Sequence, residues 1–495
     1  IWQPDNCIQC NRCAYVCPHA VIRPIALTEE EAANAPEGMD MIDMMGMPNM
    51  KFSIAVSAYD CTGCGSCANV CPGKKGEKAL VMGNMEANAG RQTFFDYGTE
   101  LPIKPEVVAK FKETTVKGSQ FKQPLLEFSG ACAGCGETPY AKLITQLFGD
   151  RMYIANATGC SSIWGNSSPS TPYTVNPQGR GPAWSNSLFE DNAEFGYGML
   201  LAQNTIRERL KASVEKLAEN GVNDDVKAAA QEYLDTFSVG ATNGTATDKL
   251  VKALEDCDCG CAERAELLKN KDFLAKKSQW IFGGDGWAYD IGFGGVDHVL
   301  ASGQDINIMV FDTEVYSNTG GQSSKATKTG ATAQFAAGGK ETKKKDLAGI
   351  AMSYGYVYVA QIAMGADFNQ TVKAIAEAEA YPGPSLIIAY APCINHGIKK
   401  GMSKAQTEEQ LAVECGYWNN FRFNPEAEKK FTLDSKEPKG DYQEFLNGEV
   451  RYNALMRANP EKAQRLFAQN EAEAMERYEY LKGLVNLYDG TAKED

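Results

Sequence analysis

Residues 281–292 read IFGGDGWAYDIG, and this stretch decides how the larger part of the chain folds. An apolar run ends in a glycine-rich turn, and a helical pattern follows the turn. Glycines let backbone N–H groups approach a phosphate closely, and the first turn of a helix favours an anion. Asp285 adds a hard oxygen ligand of the kind that Mg²⁺ prefers. The pattern predicts a strand–turn–helix unit that binds a diphosphate, with a plain turn as the alternative.

Apolar runs on both sides of this turn alternate with helical patterns. The runs interpreted as strands are residues 152–159, 279–284, 306–312, 356–363 and 384–391. Strands that alternate with helices form parallel sheets, so we predict an α/β fold with a doubly wound, mostly parallel sheet. The charged segment 203–275 interrupts this order and predicts an inserted helical hairpin. Residues 404–416 and 459–487 have the pattern of amphipathic helices.

A second polar loop follows the strand predicted at 306–312, which ends at Asp312 and continues as TEVYSNTGG. The carboxyl ends of neighbouring parallel strands meet at one edge of a sheet, where α/β proteins bind ligands. We therefore expect this loop to face the GDG turn. The hydroxyl of Thr313, the carbonyl of Val315 and the carboxylate of Asp285 would complete a Mg²⁺ shell with two phosphate oxygens.

Two cysteine runs occupy the first 80 residues, DNCIQCNRCAYVCPHA at 5–20 and DCTGCGSCANVCPG at 60–73. Both match C-x2-C-x2-C-x3-C-P, the spacing of two-cluster bacterial ferredoxins, in which the fourth cysteine ligates the other cluster. Zinc, which prefers paired C-x2-C hooks, is the alternative. The spacing predicts an α+β bacterial-type 2[4Fe–4S] ferredoxin domain, widened by an insertion. The ligands expected for one [4Fe–4S] cluster are Cys7, Cys10, Cys13 and Cys71, and those for the second are Cys17, Cys61, Cys64 and Cys67.

The composition is that of a globular protein: 495 residues, 43% hydrophobic and 23% charged, with a formal net charge of −14. An acidic balance argues against nucleic acid as a partner. No apolar run reaches the length of about 18 residues that a membrane span requires. Neither a signal peptide nor a disulfide framework is apparent, so we expect a cytoplasmic protein whose clustered cysteines bind metal or carry electrons. Because the chain begins at Ile1, we expect a piece of a longer polypeptide.

The stretch DTEVYSNTGGQSSKAT at 312–327, about 27 residues after GDG, resembles the pyruvate:ferredoxin oxidoreductase family. Three other motifs agree with that family: GACAGCGETPYAKLI at 130–144, ATGCSSIWG at 157–165 and YAPCINHG at 390–397. Most thiamine diphosphate enzymes have paired asparagines at the second loop, where this sequence has Asp312 and Thr313. The resemblance covers nearly the whole chain and implies the C-terminal part of such an enzyme, a ferredoxin-like domain followed by a thiamine diphosphate-binding domain.

The resemblance also implies the roles of individual residues. Cys132, Cys135, Cys160 and Cys393 would hold a third [4Fe–4S] cluster, although spacing alone leaves a redox-active pair or a zinc hook open for Cys132 and Cys135. Asp285, Thr313 and Val315 would hold Mg²⁺, and Asn318 would act in catalysis by touching the substrate. The residues implied to bind the cofactor are Glu137, Cys160, Gly284, Asp285, Gly286, Trp287, Thr313, Glu314, Val315, Tyr316, Ser317 and Asn318.

The implied activity is oxidative decarboxylation of pyruvate with coenzyme A, giving acetyl-CoA and CO₂. Electrons would pass through three clusters to ferredoxin or flavodoxin, in a homodimer of an anaerobic cytoplasm. The acid that activates the thiamine aminopyrimidine would come from N-terminal domains, in the same polypeptide or in a separate chain. Two alternatives stay open: an oxidoreductase for 2-oxoglutarate or for branched or aryl 2-oxoacids, and an electron-transfer subunit without thiamine diphosphate.

The sequence divides into a ferredoxin-like domain at 1–103, a linker at 104–126 and a thiamine pyrophosphate-binding domain at 127–495 that contains the insertion. Two other motifs have no role in this scheme. DCDCGC at 256–261 is interpreted as surface thiols, and KETKKK at 340–345 as a solvated run of charges.

Overall fold

A small antiparallel sheet lies between the two cysteine runs. In this computed structural model, which describes residues 1–167, 170–220 and 223–488, the sheet consists of β1 (Ile22–Thr28), β2 (Ile42–Asp43) and β3 (Met50–Val56) in the order β1–β3–β2. Phe52 and Ile54 of β3 are buried in the same core as Cys13, Cys17 and Cys71. The predicted α+β ferredoxin-like domain is therefore present, with its cysteine loops on a closed apolar core.

The second sheet has eight strands, of which six consecutive strands, reaching to one edge, are all parallel. The strands are β4 (Met152–Ala157), β5 (Ala183–Ser187), β6 (Ser278–Gly284), β7 (Asn307–Asp312), β10 (Tyr358–Ile362), β11 (Ser385–Tyr390), β12 (Phe421–Phe423) and β13 (Phe431–Leu433). Their order is β13–β12–β10–β11–β7–β6–β4–β5. Between β7 and β10, a two-stranded ribbon is formed by β8 (Val315–Tyr316) and β9 (Gln322–Ser323). All five predicted strands are present.

Both faces of the large sheet are covered, as a doubly wound fold requires. Strand β7 illustrates this, because Ile308 and Val310 belong to one apolar core while Met309 and Phe311 belong to the other. The described α-helices are Arg12–Tyr15, Glu29–Ala33, Ser66–Val70, Met85–Asn88, Gln92–Glu100, Pro105–Phe111, Val116–Ser119, Thr138–Phe148, Cys160–Ser162, Asn192–Asn220, Asp224–Asp235, Gly240–Glu255, Ala262–Lys269, Phe293–Ala301, Leu347–Met352, Phe368–Ala380, Ala405–Glu414, Tyr442–Asn447, Val450–Ala458 and Pro460–Tyr488.

The helical insertion is larger than the predicted hairpin. Four helices follow one another between Asn192 and Lys269, and they share an apolar core of their own. Cys257 is buried in that core, so the expectation of surface thiols is wrong for this residue, whereas Cys259 and Cys261 are half-buried. In the described part of the chain, none of the helices is both long and apolar enough to cross a bilayer.

The loops that carry the predicted site residues leave the same edge of the large sheet. Strand β6 ends at Gly284 and pairs there with Phe311, one residue before the end of β7. Cys160 follows β4 and Cys393 follows β11, which is hydrogen-bonded to β7 on its other side. The topology therefore brings the diphosphate loops and two of the third-cluster cysteines together at the carboxyl ends of parallel strands.

Candidate active site

Asp285, Thr313 and Val315 converge in a buried pocket of oxygen atoms. Thr313 Oγ1 lies 3.0 Å from Asp285 Oδ1 and 3.0 Å from the carbonyl oxygen of Val315. Neighbouring ligands of an octahedral Mg²⁺ ion, each at about 2.1 Å from the metal, are separated by about 3.0 Å. Both distances from Thr313 Oγ1 therefore match the separation of neighbouring ligands in a Mg²⁺ shell.

The electrostatics of Asp285 also suit a cation. Burial raises the pKa of Asp285 well above its usual range, and the nearby carboxylate of Asp312 raises it further. The Asp285 carboxylate accepts hydrogen bonds from the Thr313 backbone N–H at 3.2 Å and from Ser324 Oγ at 2.6 Å. An ionised carboxylate at this depth is stabilised by a counter-ion, and a divalent metal supplies one.

Behind the Thr313 loop lies a network of buried charges. Glu314 adopts a left-handed backbone conformation with φ of 60°, which is uncommon for a residue other than glycine. Lys344 Nζ donates to Asp312 at 2.7 Å and to Glu314 at 3.0 Å, and Arg451 lies 2.9 Å from the other Glu314 oxygen. Burial alone would raise the pKa of Glu314, but Lys344 and Arg451 lower it far below its usual range.

This network explains two departures from the sequence expectations. Glu314, implied to bind the cofactor, is not among the residues that line the cavity described below, and its carboxylate anchors the loop through Lys344 and Arg451. Lys344 is not a solvated charge as the run KETKKK suggested, because its half-buried ammonium group is paired with the buried carboxylates of Asp312 and Glu314. Nothing in the local sequence distinguishes it from its lysine neighbours, since its partners come from the strand end about 30 residues earlier.

A cavity of about 490 Å³ opens beside the oxygen pocket. This volume is within the range of about 300–1,000 Å³ that is common for small-molecule sites. The implied cofactor residues that line the cavity are Glu137, Cys160, Gly284, Gly286, Trp287, Val315, Tyr316, Ser317 and Asn318. The two faces of the GDG turn differ, because a Cβ atom at Gly284 would meet no atom closer than 3.9 Å, whereas one at Gly286 would lie 2.4 Å from the Tyr316 ring.

Glu137 forms part of the cavity wall and is the first residue before the helix Thr138–Phe148. Its carboxylate accepts a hydrogen bond from the indole N–H of Trp164 at 2.9 Å. Burial raises the pKa of Glu137 to about 7, although the Trp164 hydrogen bond opposes the shift. At neutral pH this carboxyl group can therefore hold or release a proton at the cavity wall.

The four thiols of the implied third cluster gather at the same wall. The backbone N–H of Gly136 donates to Pro392 O at 3.2 Å and joins the loop of Cys135 to the loop of Cys393. Burial raises the pKa of Cys393 to about 12, and the charges of Glu137, Cys160 and Cys132 act in the same direction. The residues that this arrangement brings together are Cys132, Cys135, Cys160 and Cys393.

Cys160 lies between the thiol group and the cavity. Ser317 Oγ is 3.2 Å from Cys160 Sγ, and the Asn318 side chain also hydrogen-bonds to this sulfur. Asn395 Nδ2 donates to the carbonyl of Ser317 at 3.0 Å, which ties the loop after Cys393 to the same turn. Asn318, the implied catalytic residue, therefore stands at the boundary between the cavity and the thiols.

The eight thiols of the ferredoxin-like domain occupy two neighbouring regions. Burial raises the pKa of Cys10, and the nearby thiols of Cys7 and Cys71 raise it further. Burial also raises the pKa of Cys67 to about 12, with contributions from Cys17, Cys64 and Cys61. The Cys13 thiol lies between the two regions, because its pKa, which burial raises, is raised further by the charge of Cys67 from one region and by those of Cys10, Cys7 and Cys71 from the other. Each region therefore contains the fourth cysteine of the other run, which is far away in the sequence but close in the fold.

The two cysteine loops have the same backbone shape. Gln9 and Asn11 have φ of 54° and 59°, and Gly63 and Gly65, the equivalent positions after the first cysteine of the second run, have φ of 69° and 80°. In the described residues, no three His, Cys, Asp or Glu side chains approach closely enough to hold a single metal ion.

Two domain families match the chain. The model described as "4Fe-4S dicluster domain" matches residues 6–75, and that described as "Thiamine pyrophosphate enzyme, C-terminal TPP binding domain" matches residues 265–389. The first contains all eight thiols of the ferredoxin-like domain. The second contains the GDG turn and the loop from Thr313 to Asn318.

Relatives match nearly the entire chain. It is 56% identical over 98% of its length to a pyruvate-flavodoxin oxidoreductase of Enterobacter agglomerans, and 54% identical over 98% to one of Klebsiella pneumoniae. It is 56% identical, again over 98%, to a pyruvate:ferredoxin oxidoreductase of Moorella thermoacetica. The chain covers 41% or 42% of the length of these three proteins. Throughout its length, the chain is therefore similar to a segment of pyruvate:ferredoxin and pyruvate-flavodoxin oxidoreductases, and it contains matches to both cofactor-binding domain families.

Proposed function

We propose that the complete protein oxidatively decarboxylates pyruvate with coenzyme A, and that this chain supplies its diphosphate site and its electron path. The observation that carries the proposal is the shared wall of the cavity. Cys160 lines the cavity together with Gly284, Val315 and Asn318, while its sulfur belongs to the group of four thiols. A source of electrons and an acceptor for them would therefore be separated by one side chain.

The residues on the cavity side would hold and orient thiamine diphosphate. Asp285, Thr313 and Val315 would hold Mg²⁺, and Gly284 leaves room for the diphosphate to approach the backbone. Bound thiamine diphosphate supplies a nucleophilic carbon that accepts the electron pair released when a 2-oxoacid loses CO₂. Asn318 would contact the substrate from the wall next to Cys160, and Glu137 would hold a proton nearby.

The thiols would carry electrons away from the cavity. A cluster on Cys132, Cys135, Cys160 and Cys393 would accept electrons singly, and the two ferredoxin-type clusters would relay them. The burial of Cys13, Cys17 and Cys71 supports this role, because it keeps water away from the thiolates. The carrier that receives the electrons would be ferredoxin or flavodoxin, as the names of the relatives indicate for those proteins.

The remaining parts of the enzyme would come from outside this chain. The relatives are more than twice as long as the segment matched here, so we propose that further domains complete the substrate pocket. We also propose a homodimer in the cytoplasm, where a reducing environment preserves thiol-ligated clusters.

Anaerobic turnover by the full-length enzyme tests the proposal. We expect acetyl-CoA and CO₂ from pyruvate and coenzyme A, with reduction of added ferredoxin or flavodoxin, and thiamine diphosphate detected by mass spectrometry in the isolated protein. Production of succinyl-CoA from 2-oxoglutarate without turnover of pyruvate would refute the proposal that pyruvate is the substrate. If the protein held three clusters but bound no thiamine diphosphate, the proposed enzymatic activity would be refuted and the chain would be an electron-transfer subunit.

A further inference from the structure

Lys142 is a buried cation between the two domains. It lies in the helix Thr138–Phe148, one turn after Glu137, and only 2% of its surface is exposed. Its ammonium group donates hydrogen bonds to the carbonyl oxygens of Ala14 and Tyr15, the latter at 3.0 Å. These carbonyls belong to the short helix that connects Cys13 to Cys17. A lysine of the thiamine pyrophosphate-binding domain therefore reaches into the cysteine loop of the ferredoxin-like domain.

The charge of Lys142 acts on ligands of both predicted ferredoxin-type clusters. Cys17 has the stronger electrostatic interaction with Lys142, and Cys13 has the weaker one. Arg23 is a second cation near Cys17, but its guanidinium is paired with Glu127. Lys142 has no carboxylate partner among the described side chains, so its charge is offset by the two carbonyls and the thiolates. A structural ion pair is thus not the reason for its burial.

We propose that Lys142 sets the reduction potential of the ferredoxin-type clusters, mainly of the cluster ligated by Cys17. Reduction adds one negative charge to a cluster, and a buried cation nearby favours the reduced form because the surrounding dielectric constant is low. The same helix begins at the cavity wall with Glu137, so it links the site of oxidation to the electron path. This inference rests on the proposed function, since it requires clusters on these thiols.

Redox titration of the full-length protein, followed by EPR, tests the role of Lys142. In Lys142→Gln we expect a lower midpoint potential for the cluster of Cys17, corresponding to about a tenfold shift in its reduction equilibrium or about 59 mV for one electron. Lys142→Met, which keeps the length of the side chain without its charge, should give the same shift.

Two other lysines provide matched controls. Lys117 is half-buried and acts electrostatically on Cys10 and Cys7, so Lys117→Gln should lower the potential of the other ferredoxin-type cluster. Lys252 is exposed in the helical insertion, and Lys252→Gln should leave all three potentials unchanged. This difference between three lysines separates a local electrostatic effect from a general change of net charge.

Several results would overturn the inference about Lys142. One is a neutral variant that retains three clusters and wild-type potentials. Another is loss of clusters from both neutral variants, whether or not Lys142→Arg retains them, because the residue would then serve assembly rather than potential. A wild-type protein without three clusters would instead refute the proposed function. The iron content therefore distinguishes failure of the inference from failure of that function.

A second inference concerns the helical insertion and does not depend on the proposed function. Cys259 Sγ and Cys261 Sγ lie 2.8 Å apart in the turn between the helices Gly240–Glu255 and Ala262–Lys269. Both side chains are partly accessible, whereas Cys257 is buried. A Cβ atom at Gly260, between the two thiols, would meet no neighbouring atom, so the turn has room to adjust.

The geometry points to a thiol–disulfide exchange site at Cys259 and Cys261. One thiolate attacks a low-molecular-weight disulfide and releases one thiol; the second thiolate then attacks the mixed disulfide and releases the other thiol. The cysteine pair loses two electrons and two protons, and the small disulfide becomes two thiols. The resulting cross-link would close the turn between the two helices.

Peptide mass spectrometry after treatment of the full-length protein with oxidised glutathione tests this second site. We expect residues 253–264, one tryptic peptide, to lose the mass of two hydrogens and to regain it with dithiothreitol. Cys257→Ser should behave identically, whereas Cys259→Ser and Cys261→Ser should carry a glutathione adduct. The inference would be wrong if Cys257 formed the cross-link, or if the peptide kept three alkylatable thiols.

Discussion

Asp285 accepts hydrogen bonds at both carboxylate oxygens and has no ion-pair partner among the described side chains. Asp285→Asn keeps the size of the side chain and removes the charge that would balance Mg²⁺. We expect the Mg²⁺-dependent affinity for thiamine diphosphate to fall more than tenfold, or by at least about 1.4 kcal/mol. Isothermal titration of the full-length protein measures this change.

The control for Asp285 is Asp248→Asn, because Asp248 is an exposed carboxylate paired with Arg180 far from the site. It should bind the cofactor as the wild type does. The iron content of Asp285→Asn should also equal that of the wild type, since its hydrogen-bond partners in the described chain are Thr313 and Ser324 and not cysteine ligands. Undiminished cofactor affinity in Asp285→Asn would contradict the assignment of the metal site.

Glu409 gives a prediction about pH at a buried position. Burial raises its pKa from 4.5 to about 8, although hydrogen bonds from Gly365 and Tyr140 oppose the shift. The folded protein thus holds this proton more tightly than the unfolded chain. The contribution of Glu409 to stability is therefore complete below pH 4.5 and is lost as the pH rises through 8. The loss should be about 1 to 4 kcal/mol.

Glu409→Gln cannot ionise, so we expect its melting temperature to fall less than that of the wild type between pH 6 and pH 9. Thermal unfolding of both proteins at matched ionic strength measures the difference. Glu414→Gln is a suitable control, because Glu414 ends the same helix, Ala405–Glu414, at a more accessible position. Parallel pH profiles for the wild type and Glu409→Gln would show that Glu409 ionises normally.

The turn after β6 shows how one element divides its glycines between folding and binding. A Cβ atom at Gly286 would lie 2.4 Å from the Tyr316 ring, so Gly286→Ala must displace the ribbon that forms part of the cavity wall. We expect a stability loss of about 1–3 kcal/mol, together with weaker cofactor binding. Gly284→Ala has space in the folded protein, and we expect it to weaken diphosphate binding with little change in melting temperature.

Melting curves and cofactor titrations of the same preparations separate these two effects. Gly294→Ala is the control, because it places a methyl group in open space on the following helix, Phe293–Ala301. It should change neither quantity. Equal destabilisation by Gly284→Ala and Gly286→Ala would contradict the different surroundings of the two glycines.

The elements that the sequence predicted well are those whose signal is local. Buried strands such as β7 are apolar on both faces. The continuous apolar run from Ile308 to Phe311 therefore predicts a central parallel strand from local sequence alone. The edge strand β5 is half-exposed and polar, and it was not predicted. The insertion was underestimated because four helices share one charged, alanine-rich pattern in which single turns leave little trace.

The candidate site divides in the same way. Asp285 and Thr313 were predicted because each stands directly after a strand in a motif. Lys344, Arg451 and Lys142 were not, since each gains its role from a tertiary contact with residues far away in the chain. Long-range pairing of buried charges leaves no pattern in a single sequence, and these positions become visible only when the fold is known.

At the scale of the whole molecule, the two domains share packing as well as a path for electrons. Tyr15 and Val16, which precede Cys17, are buried in the same apolar core as the strands β4, β7 and β11. Tyr15 also donates a hydrogen bond to the carbonyl of Phe368 at 3.1 Å. The ferredoxin-like domain therefore packs directly against the large sheet next to Cys17.

Crossed ligation is the feature of the whole ferredoxin-like domain that a pair of single substitutions can test. Cys71 lies in the second run but near Cys10 of the first, so Cys71→Ala should disable the cluster of Cys7, Cys10 and Cys13. Cys17→Ala should disable the cluster of Cys61, Cys64 and Cys67, because the Cys17 thiol lies close enough to Cys67 for its charge to add to the effect of burial and raise the pKa of Cys67. Iron and sulfide analysis with EPR of the reduced protein should show one cluster altered in each variant and the other two intact.

Cys415→Ala, which removes a buried thiol outside these groups, should retain all three. Loss of the cluster of Cys61 from Cys71→Ala would mean that each run ligates its own cluster, and the neighbour relations in the folded chain argue against that result.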